Sequence, residues 1–296
     1  MKYWLGKNMK LVRYSDISIF SKIAEPYLTR REAEHNLLLG LLSSLDSGRL
    51  DASKAYLAAV HNQDTLLAIV LRTDPTRNVL ISCDAPDEVL QMIAEDMMTV
   101  DLELRGVTAD SSTARAFAEV WQHRTKQPFQ RHLAMRIYKL TRVIPPRPVS
   151  GHMRAAEADD RTLVTDWVQA FQAEALQEPV DRADAERLAV RFLDEDASAA
   201  GIRFWVDDGK VVAQAAYSGR TPNGIRTNLV YTPPELRGKG YASAVVAQLS
   251  QEMLDRGRKF CFLFTDLSNP TSNHIYQAIG YEPVNDVDEY RFGERG

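Results

Sequence analysis

Runs of apolar residues separated by turn-forming residues predict a β-hairpin in the C-terminal half of the chain. Residues 202–206 and 211–217 are rich in strand-forming side chains, and Asp207-Asp208-Gly209-Lys210 between them has the composition of a tight turn. A third strand is expected at 227–232, where Pro233 and Pro234 remove the backbone donors that a strand needs.

A helix and a buried strand follow. The helix is indicated by apolar residues at helical spacing, which are Ala242, Val245, Val246, Leu249 and Met253. Gly257 is its expected end. The continuous apolar run at 260–264 is typical of a strand covered on both faces, so this segment predicts a parallel β-α-β unit.

The first half of the chain repeats this order of elements with different residues. The predicted elements are strands at 56–60, 66–71, 78–82, 104–107 and 132–140, a turn at 61–64, and helices at 86–98 and 113–125. Almost no identical residues accompany the repeat, so an internal duplication is predicted from the pattern alone.

The prolines at 145, 146 and 148 mark the clearest break in the chain. We interpret 145–151 as a linker between a first domain at 1–144 and a second at 152–296, which agrees with a length of 296 residues. The alternative is a proline-rich surface loop within one domain.

Charge and composition exclude some classes of function and location. Lys and Arg total 36 against 40 Asp and Glu, a net charge of −4, which argues against a nucleic-acid-binding protein. No apolar run is long enough for a membrane span, and the first residues lack the apolar core of a secretory signal, so a cytoplasmic location is expected.

The cysteines and histidines do not form a metal-binding pattern. Cys83 and Cys261 lie far apart and are interpreted as reduced core thiols. The six histidines show no paired spacing and no neighbouring cysteine, so we expect no metal.

The most informative stretch is Arg237-Gly238-Lys239-Gly240, which lies between a strand and the predicted helix. Free backbone N–H groups at a helix start bind phosphate, and glycines let an anion approach the backbone. A Walker loop is excluded because Tyr241 follows Gly240, and a dinucleotide fingerprint is excluded because it needs glycine at Ser243.

What remains, Arg237-x-x-Gly240-x-Ala242, resembles the coenzyme A signature of the GNAT superfamily of N-acetyltransferases. Asn269 to Tyr281 resembles the second signature of that family, with Asn273-x-x-Tyr276 followed by Gly280 and an aromatic residue. The resemblance is close over 202–292 and looser over 151–200, where two helices should form the acceptor side.

The resemblance implies an α/β protein with two acetyltransferase-like domains, each a central, mixed but mostly antiparallel sheet flanked by helices. It also implies acetyl-CoA as cosubstrate and no metal. The implied coenzyme-binding residues are Leu229, Val230, Tyr231, Arg237, Gly238, Lys239, Gly240, Tyr241, Ala242, Asn269, Asn273 and Tyr276.

The implied reaction is direct attack of a primary amine on the thioester. In this family a backbone N–H at a bulge, here at 229–231, stabilises the oxyanion, and Tyr276 would protonate the leaving thiolate. Asn228 is the second implied catalytic residue. Three residues are candidates for accepting the proton of the amine: Asn228, Glu174 and Asp266. Without the resemblance, Tyr276 is equally explained as a core residue and Asn269 as a helix cap.

The first half lacks the coenzyme signature. Its equivalent turn, 82–88, is acidic and contains no glycine, which predicts a degenerate copy; the alternative is an unrelated α/β domain. Two alternatives to an acetyltransferase stay open for the whole protein. One is a sensor that binds coenzyme A without turnover, and the other is an enzyme that transfers a longer acyl group. The acceptor is expected to be a small-molecule or peptide amine, and the duplication favours a monomer.

Overall fold

The computed structural model describes residues 8–175, 180–194 and 199–294. In chain order its elements are β1 (Met9–Arg13), α1 (Ile17–Thr29), α2 (Asn36–Asp46), β2 (Tyr56–Asn62), β3 (Thr65–Arg72), β4 (Val79–Ile81), α3 (Asp87–Val100), β5 (Gly106–Asp110), α4 (Ser111–Thr125), β6 (Phe129–Leu140), β7 (His152–Ala155), α5 (Arg161–Ala175), α6 (Arg182–Asp194), β8 (Gly201–Asp207), β9 (Lys210–Ser218), β10 (Gly224–Tyr231), α7 (Tyr241–Asp255), β11 (Phe260–Asp266), α8 (Pro270–Ala278) and β12 (Glu282–Phe292).

The second half repeats the element order of the first. The series β1-α1-α2-β2-β3-β4-α3-β5-α4-β6 corresponds to β7-α5-α6-β8-β9-β10-α7-β11-α8-β12. In both series the first four strands pair antiparallel, and a helix then leads to a parallel neighbour, β5 beside β4 and β11 beside β10. The predicted duplication and the predicted mixed, mostly antiparallel sheets are therefore confirmed.

The chain divides into two units, Met1–Ile137 with Val284–Gly296, and Tyr138–Pro283. This division differs from the predicted boundaries at 144 and 152, because β12 pairs antiparallel with β5 of unit 1, from Val287 opposite Asp110 to Arg291 opposite Gly106. Arg136 fixes the same strand through a two-point ion pair with Asp286, at 2.6 and 2.9 Å. The alternation of residues in a strand shows which face is buried, but not which sheet the strand joins.

In unit 1 the strands run in the order β1-β2-β3-β4-β5-β12-β6, and both faces of the sheet are covered. Val60 and Val70 pack with α3 and α4, whereas their chain neighbours Ala59 and Ile69 pack with α1 and α2. Side chains alternate between the two faces of a strand, so a run that is apolar at every position is buried on both.

In unit 2 the order is β11-β10-β9-β8-β7. One face carries α7 and α8, with Val245 and Leu249 of α7 fully buried against it, and the other carries α5 and α6. The predicted hairpin lies between β8 and β9, where Asp208 and Gly209 both have positive φ, 47° and 71°. Such a turn matches the twist of antiparallel strands.

The two cysteines are free and buried, Cys83 in unit 1 and Cys261 in unit 2, as predicted. Burial raises the pKa of each thiol to about 12, so both are protonated and unreactive at neutral pH. Within 8–175, 180–194 and 199–294, no helix has the length and apolarity to cross a membrane.

His35 joins α1 to the loop after β4 in unit 1. Its buried ring donates from Nδ1 to the carbonyl oxygen of Leu28, at 3.0 Å, and accepts at Nε2 from the backbone N–H of Cys83, at 3.1 Å. Burial lowers the pKa of His35 below its ordinary value of 6.5. A protonated ring would place a second N–H against that of Cys83, so the fold requires the neutral form.

We therefore expect acid to destabilise the protein partly through His35. Because its pKa is depressed in the folded state, its contribution is present above the unfolded pKa and is lost as the pH falls below about 6.5. His35→Gln should reduce the drop in Tm between pH about 7.5 and about 5.5 by a few degrees. The measurement is thermal unfolding at both pH values. His123→Gln, at an exposed position of α4, is the control, and an equal drop in both variants would contradict the assignment.

Candidate functional site

The turn before α7 presents a row of backbone N–H groups. β10 leads through a short 3-10 helix, Pro234–Leu236, into Arg237 and the two glycines. In the described part of the chain, no acceptor lies within hydrogen-bond distance of the N–H groups from Gly238 to Ser243. They stand at the positive end of the α7 dipole, which makes this turn suited to an anion with several oxygens.

Both glycines of the turn have backbone conformations that other residues rarely adopt. Gly238 has φ +78° and Gly240 φ +87°. A Cβ on Gly238 would meet nothing within 4 Å, whereas one on Gly240 would lie 2.9 Å from Cγ1 of Val149. The turn is therefore open on the side of Gly238 and packed on the side of Gly240.

β10 changes register next to this turn. Asn228 pairs with Ala216 of β9, but the next pair joins Tyr231 to Gln214, and Leu229 between them has φ +46°. On its other edge β10 pairs with β11 only as far as Arg226. The pairing with β11 therefore ends before the bulge, and the backbone of 229–231 is not bonded to β11.

Arg237 is held by the protein itself. Its guanidinium donates to the carbonyl oxygen of Thr232 at 2.9 Å, forms an ion pair with Glu174 of α5 at 2.7 Å, and lies 5.9 Å from the ring centre of Tyr231. These three contacts hold the turn in its conformation. Arg237 thus stabilises the turn and connects it to α5. The side chain of Lys239, by contrast, is exposed to solvent.

Tyr241 anchors the start of α7. Its hydroxyl donates to Oδ2 of Asp207 at 2.6 Å, and the hydroxyl of Ser150 donates to the same oxygen at 2.9 Å. These two bonds lower the pKa of the Asp207 carboxyl. Ala242 follows in the first turn, half-buried, where its small side chain leaves room beside the N–H groups.

The asparagines of the second signature build the turn between β11 and α8. Asn269 caps α8 by accepting from the N–H of Ser272 at 3.0 Å. The Asn273 amide donates to the carbonyl oxygens of Asp266 and Asn269, at 3.0 and 2.7 Å, and accepts from the Tyr138 hydroxyl at 3.0 Å. Both side chains are engaged in these internal contacts.

Tyr276 of α8 is buried beside Tyr281, with ring centres 6.1 Å apart. Burial alone raises the pKa of Tyr276 to about 12, with no hydrogen bond contributing. The hydroxyl of Tyr281, by contrast, is bonded to Ser250 at 2.9 Å. Tyr276 therefore keeps its proton at neutral pH and has it available for a bound group.

The three candidates for accepting a proton are poorly suited to that role. Glu174 is ion-paired with Arg237, and Oδ1 of Asp266 accepts from the N–H and hydroxyl of Ser268, both at 2.7 Å. Asn228 is a neutral amide that donates to the Ser218 hydroxyl at 2.6 Å, and its Oδ1 is buried without a partner. An amide is not a base at neutral pH, so Asn228 can orient a group but cannot deprotonate it.

Sequence reasoning missed Gln214. This side chain is fully buried in β9 and neither of its amide atoms has a hydrogen-bond partner. An unsatisfied buried polar group costs about 1–3 kcal/mol, so its presence calls for an explanation. The only sequence signal is one long polar side chain within the otherwise apolar run 211–217.

Between residues 8 and 137 and between 284 and 294, unit 1 has no comparable turn. The loop after β4 contains Asp84, at φ +58° and ion-paired with Arg31, and α3 begins with Asp87 and Glu88. Carboxylates at a helix start occupy the position that favours an anion and repel a phosphate. Within the described residues, no group of three or more His, Cys, Asp or Glu side chains could hold a metal ion in either unit.

Residues 162–281 match the model of the acetyltransferase (GNAT) family. The match runs from the second residue of α5 to the residue before β12, and so contains the turn, the bulge and Tyr276. No curated protein matches the chain.

Solved structures share the fold over nearly the whole chain. A Drosophila protein is 13% identical, with a TM-score of 0.68, over 98% of this chain and 100% of its own. A GCN5-related N-acetyltransferase from Sphaerobacter thermophilus is 16% identical, with a TM-score of 0.61, over 96% and 95%. A tandem GNAT protein from the clavulanic acid biosynthesis pathway is 12% identical, with a TM-score of 0.60, over 97% and 99%. At these identities the likeness concerns the fold alone.

Proposed function

Because residues 162–281 carry a domain of the acetyltransferase (GNAT) family, we propose that the protein transfers an acetyl group from acetyl-CoA to a primary amine. The observation that carries the proposal is the row of acceptor-free N–H groups from Gly238 to Ser243 at the start of α7. A pyrophosphate supplies several oxygens to such a row, and a glycine turn lets it approach the backbone.

The residues of this site fit acetyl-CoA. The open side of Gly238 leaves the N–H groups reachable, and Lys239 adds a positive charge beside them. Beyond Arg226 the ends of β10 and β11 are not paired, next to the turn, and an extended chain would lie between them. When bound, acetyl-CoA supplies a thioester whose carbonyl carbon is open to attack by an amine.

Each predicted residue then has a physical task. The backbone of Leu229, Val230 and Tyr231, unbonded to β11, provides N–H donors for the carbonyl oxygen as negative charge develops. Arg237, Tyr241, Ala242, Asn269 and Asn273 act through the shape of the loops they build.

Tyr276 is proposed as the general acid. As the amine nitrogen bonds to the carbonyl carbon, the carbon–sulfur bond breaks and the phenol gives its proton to the leaving sulfur. The raised pKa of Tyr276, about 12, keeps the phenol protonated in readiness. The amine loses its proton to solvent, because Glu174 and Asp266 are engaged elsewhere.

A coenzyme A-binding protein without turnover is the second candidate, and this engagement of Glu174 and Asp266 is the observation that favours it. Thiol release from acetyl-CoA, measured across a panel of primary amines, separates the two. Amine-dependent release supports the enzyme. Tight binding of coenzyme A with no release by any amine would support the binding protein.

A charge change in the turn tests the coenzyme site. Gly238→Glu should weaken coenzyme A binding by about tenfold or more, because a carboxylate would stand against the pyrophosphate at short range. The measurement is calorimetric titration with coenzyme A. The matched control is Gly257→Glu, at the far end of α7, where the glycine also has positive φ, +87°, and open space around it. Equal affinity in the two variants would refute the assignment.

Removal of one hydroxyl tests the acid. Tyr276→Phe should lower kcat by about 100-fold, the lower end of a general-acid effect, with coenzyme A affinity unchanged. Tyr281→Phe is the control, since its hydroxyl bonds to Ser250 inside the core and its loss should lower Tm rather than kcat. If Tyr276→Phe turned over at the wild-type rate, Tyr276 would be a packing residue.

A further inference from the structure

Gln214 and Asn228 are two polar residues next to the bulge that the proposed chemistry leaves unused. Both amide atoms of Gln214 and the Oδ1 of Asn228 are buried without a hydrogen-bond partner. An apolar side chain of similar volume at 214 would avoid the cost of an unpaired buried amide. Such departures from good packing concentrate at functional sites, where a ligand supplies the missing partner.

The two amides lie on the face of the sheet that carries α5 and α6. Ala213, Ala215 and Tyr217 of β9 pack in the cluster of α7, whereas Ala216 packs in the cluster of α5 and α6. Side chains two residues apart in a strand share a face, so Gln214 lies with Ala216, opposite α7.

Their positions bracket the bulge of β10. Gln214 stands opposite Tyr231, the first pair after the register shift, and Asn228 stands opposite Ala216, the last pair before it. The bond from Asn228 to Ser218 shows that the Asn228 amide lies on the face of Ala216 and Ser218. Gln214 and Asn228 are therefore diagonal neighbours across two strands, within reach of one small ligand.

Aromatic rings surround the side chain of Gln214. Gln214 has Phe204 of β8 as its other register neighbour, and Trp167 of α5 contacts both flanking rings, at 5.9 Å from Phe204 and 5.6 Å from Tyr231. These rings shield the amides from water. Trp167 is itself only half-buried, so a movement of that ring would open Gln214 to a ligand.

The unpaired atoms define a complementary ligand. Two carbonyl oxygens, Oε1 of Gln214 and Oδ1 of Asn228, require N–H donors, and the Nε2 of Gln214 requires an acceptor. A primary amine provides the donors. Because both oxygens are neutral, they hold the amine without favouring its protonated form as a carboxylate would. An oxygen atom close to the amine would accept the hydrogen bond that Nε2 of Gln214 requires.

We propose that Gln214 and Asn228 form the acceptor site, and that it selects an amine with a carbonyl group on the neighbouring carbon. Peptide N-termini and amino-acid amides have this chemistry, and so do free amino acids. The inference rests on the proposed acetyl transfer. Gln214 acts as a specificity-determining residue that holds the attacking nitrogen beside the bulge.

The test compares Gln214→Met with the wild type on glycinamide, glycine and ethylamine, of which ethylamine lacks the carbonyl oxygen. The wild type should prefer a carbonyl-bearing probe to ethylamine by at least about tenfold in kcat/KM, the value of one hydrogen bond of ordinary strength. The variant should lose that preference while KM for acetyl-CoA stays unchanged. Glycinamide exceeding glycine would indicate a neutral acceptor such as a peptide N-terminus, and the reverse a free amino acid.

Stability gives the second measurement. Relief of the unpaired amide should raise Tm of Gln214→Met by about 2–4 °C, while its amine preference falls. The control is Ser21→Ala in α1 of unit 1, which removes a buried hydroxyl that also lacks a hydrogen-bond partner and should leave the amine preference unchanged. Gln214→Leu repeats the test if the methionine variant misfolds.

Failures of the two proposals look different. A wild type that binds coenzyme A and acetylates none of the amines overturns the proposed acetyl transfer and the acceptor site with it. A wild type that turns over without preferring glycinamide or glycine to ethylamine overturns the acceptor site alone. So does a Gln214→Met protein that keeps the preference of the wild type.

Discussion

The candidate site depends on one break in hydrogen bonding, the shift of register in β10. This strand pairs with β11 from Gly224 to Arg226 and with β9 from Arg226 to Tyr231, so beyond Arg226 it keeps β9 and loses β11. A regular sheet would have used every backbone donor internally. The positive φ of Leu229 marks the bulge, and beside it lie both the strand backbone without a β11 partner and the buried diagonal of Gln214 and Asn228.

The two units differ in the charge that they place before the corresponding helices, α3 and α7. Both have a strand, a turn and a helix in the same order, and in both the helix dipole places positive potential at the helix start. Unit 2 has glycines, Gly238 and Gly240, before its helix and no carboxylate in the first turn. Unit 1 neutralises it with its own Asp87 and Glu88. Identical topology therefore supports two electrostatic outcomes, each decided by the first residues of one helix.

Local pattern was enough to predict much of unit 2. The hairpin, α7 and β11 were predicted to within a few residues, because periodicity and glycine ends are local signals. The partner of β12 was not, since strand pairing depends on distant residues. In the site, the glycine turn could be predicted from its sequence motif. Gln214 could not, because a single glutamine in a strand ordinarily faces solvent. Its burial arises only when α5 covers that face.

The pairing of β12 with β5 has a consequence for the order of synthesis. β12 follows every element of unit 2 in the chain, yet it borders β5 in the sheet of unit 1. On the ribosome, β5 must therefore wait with an open edge while α4 to α8 are translated, and an open strand edge is a template for wrong pairing. Separate expression of the two halves, cut between β6 and β7, would leave the first with that edge permanently uncovered.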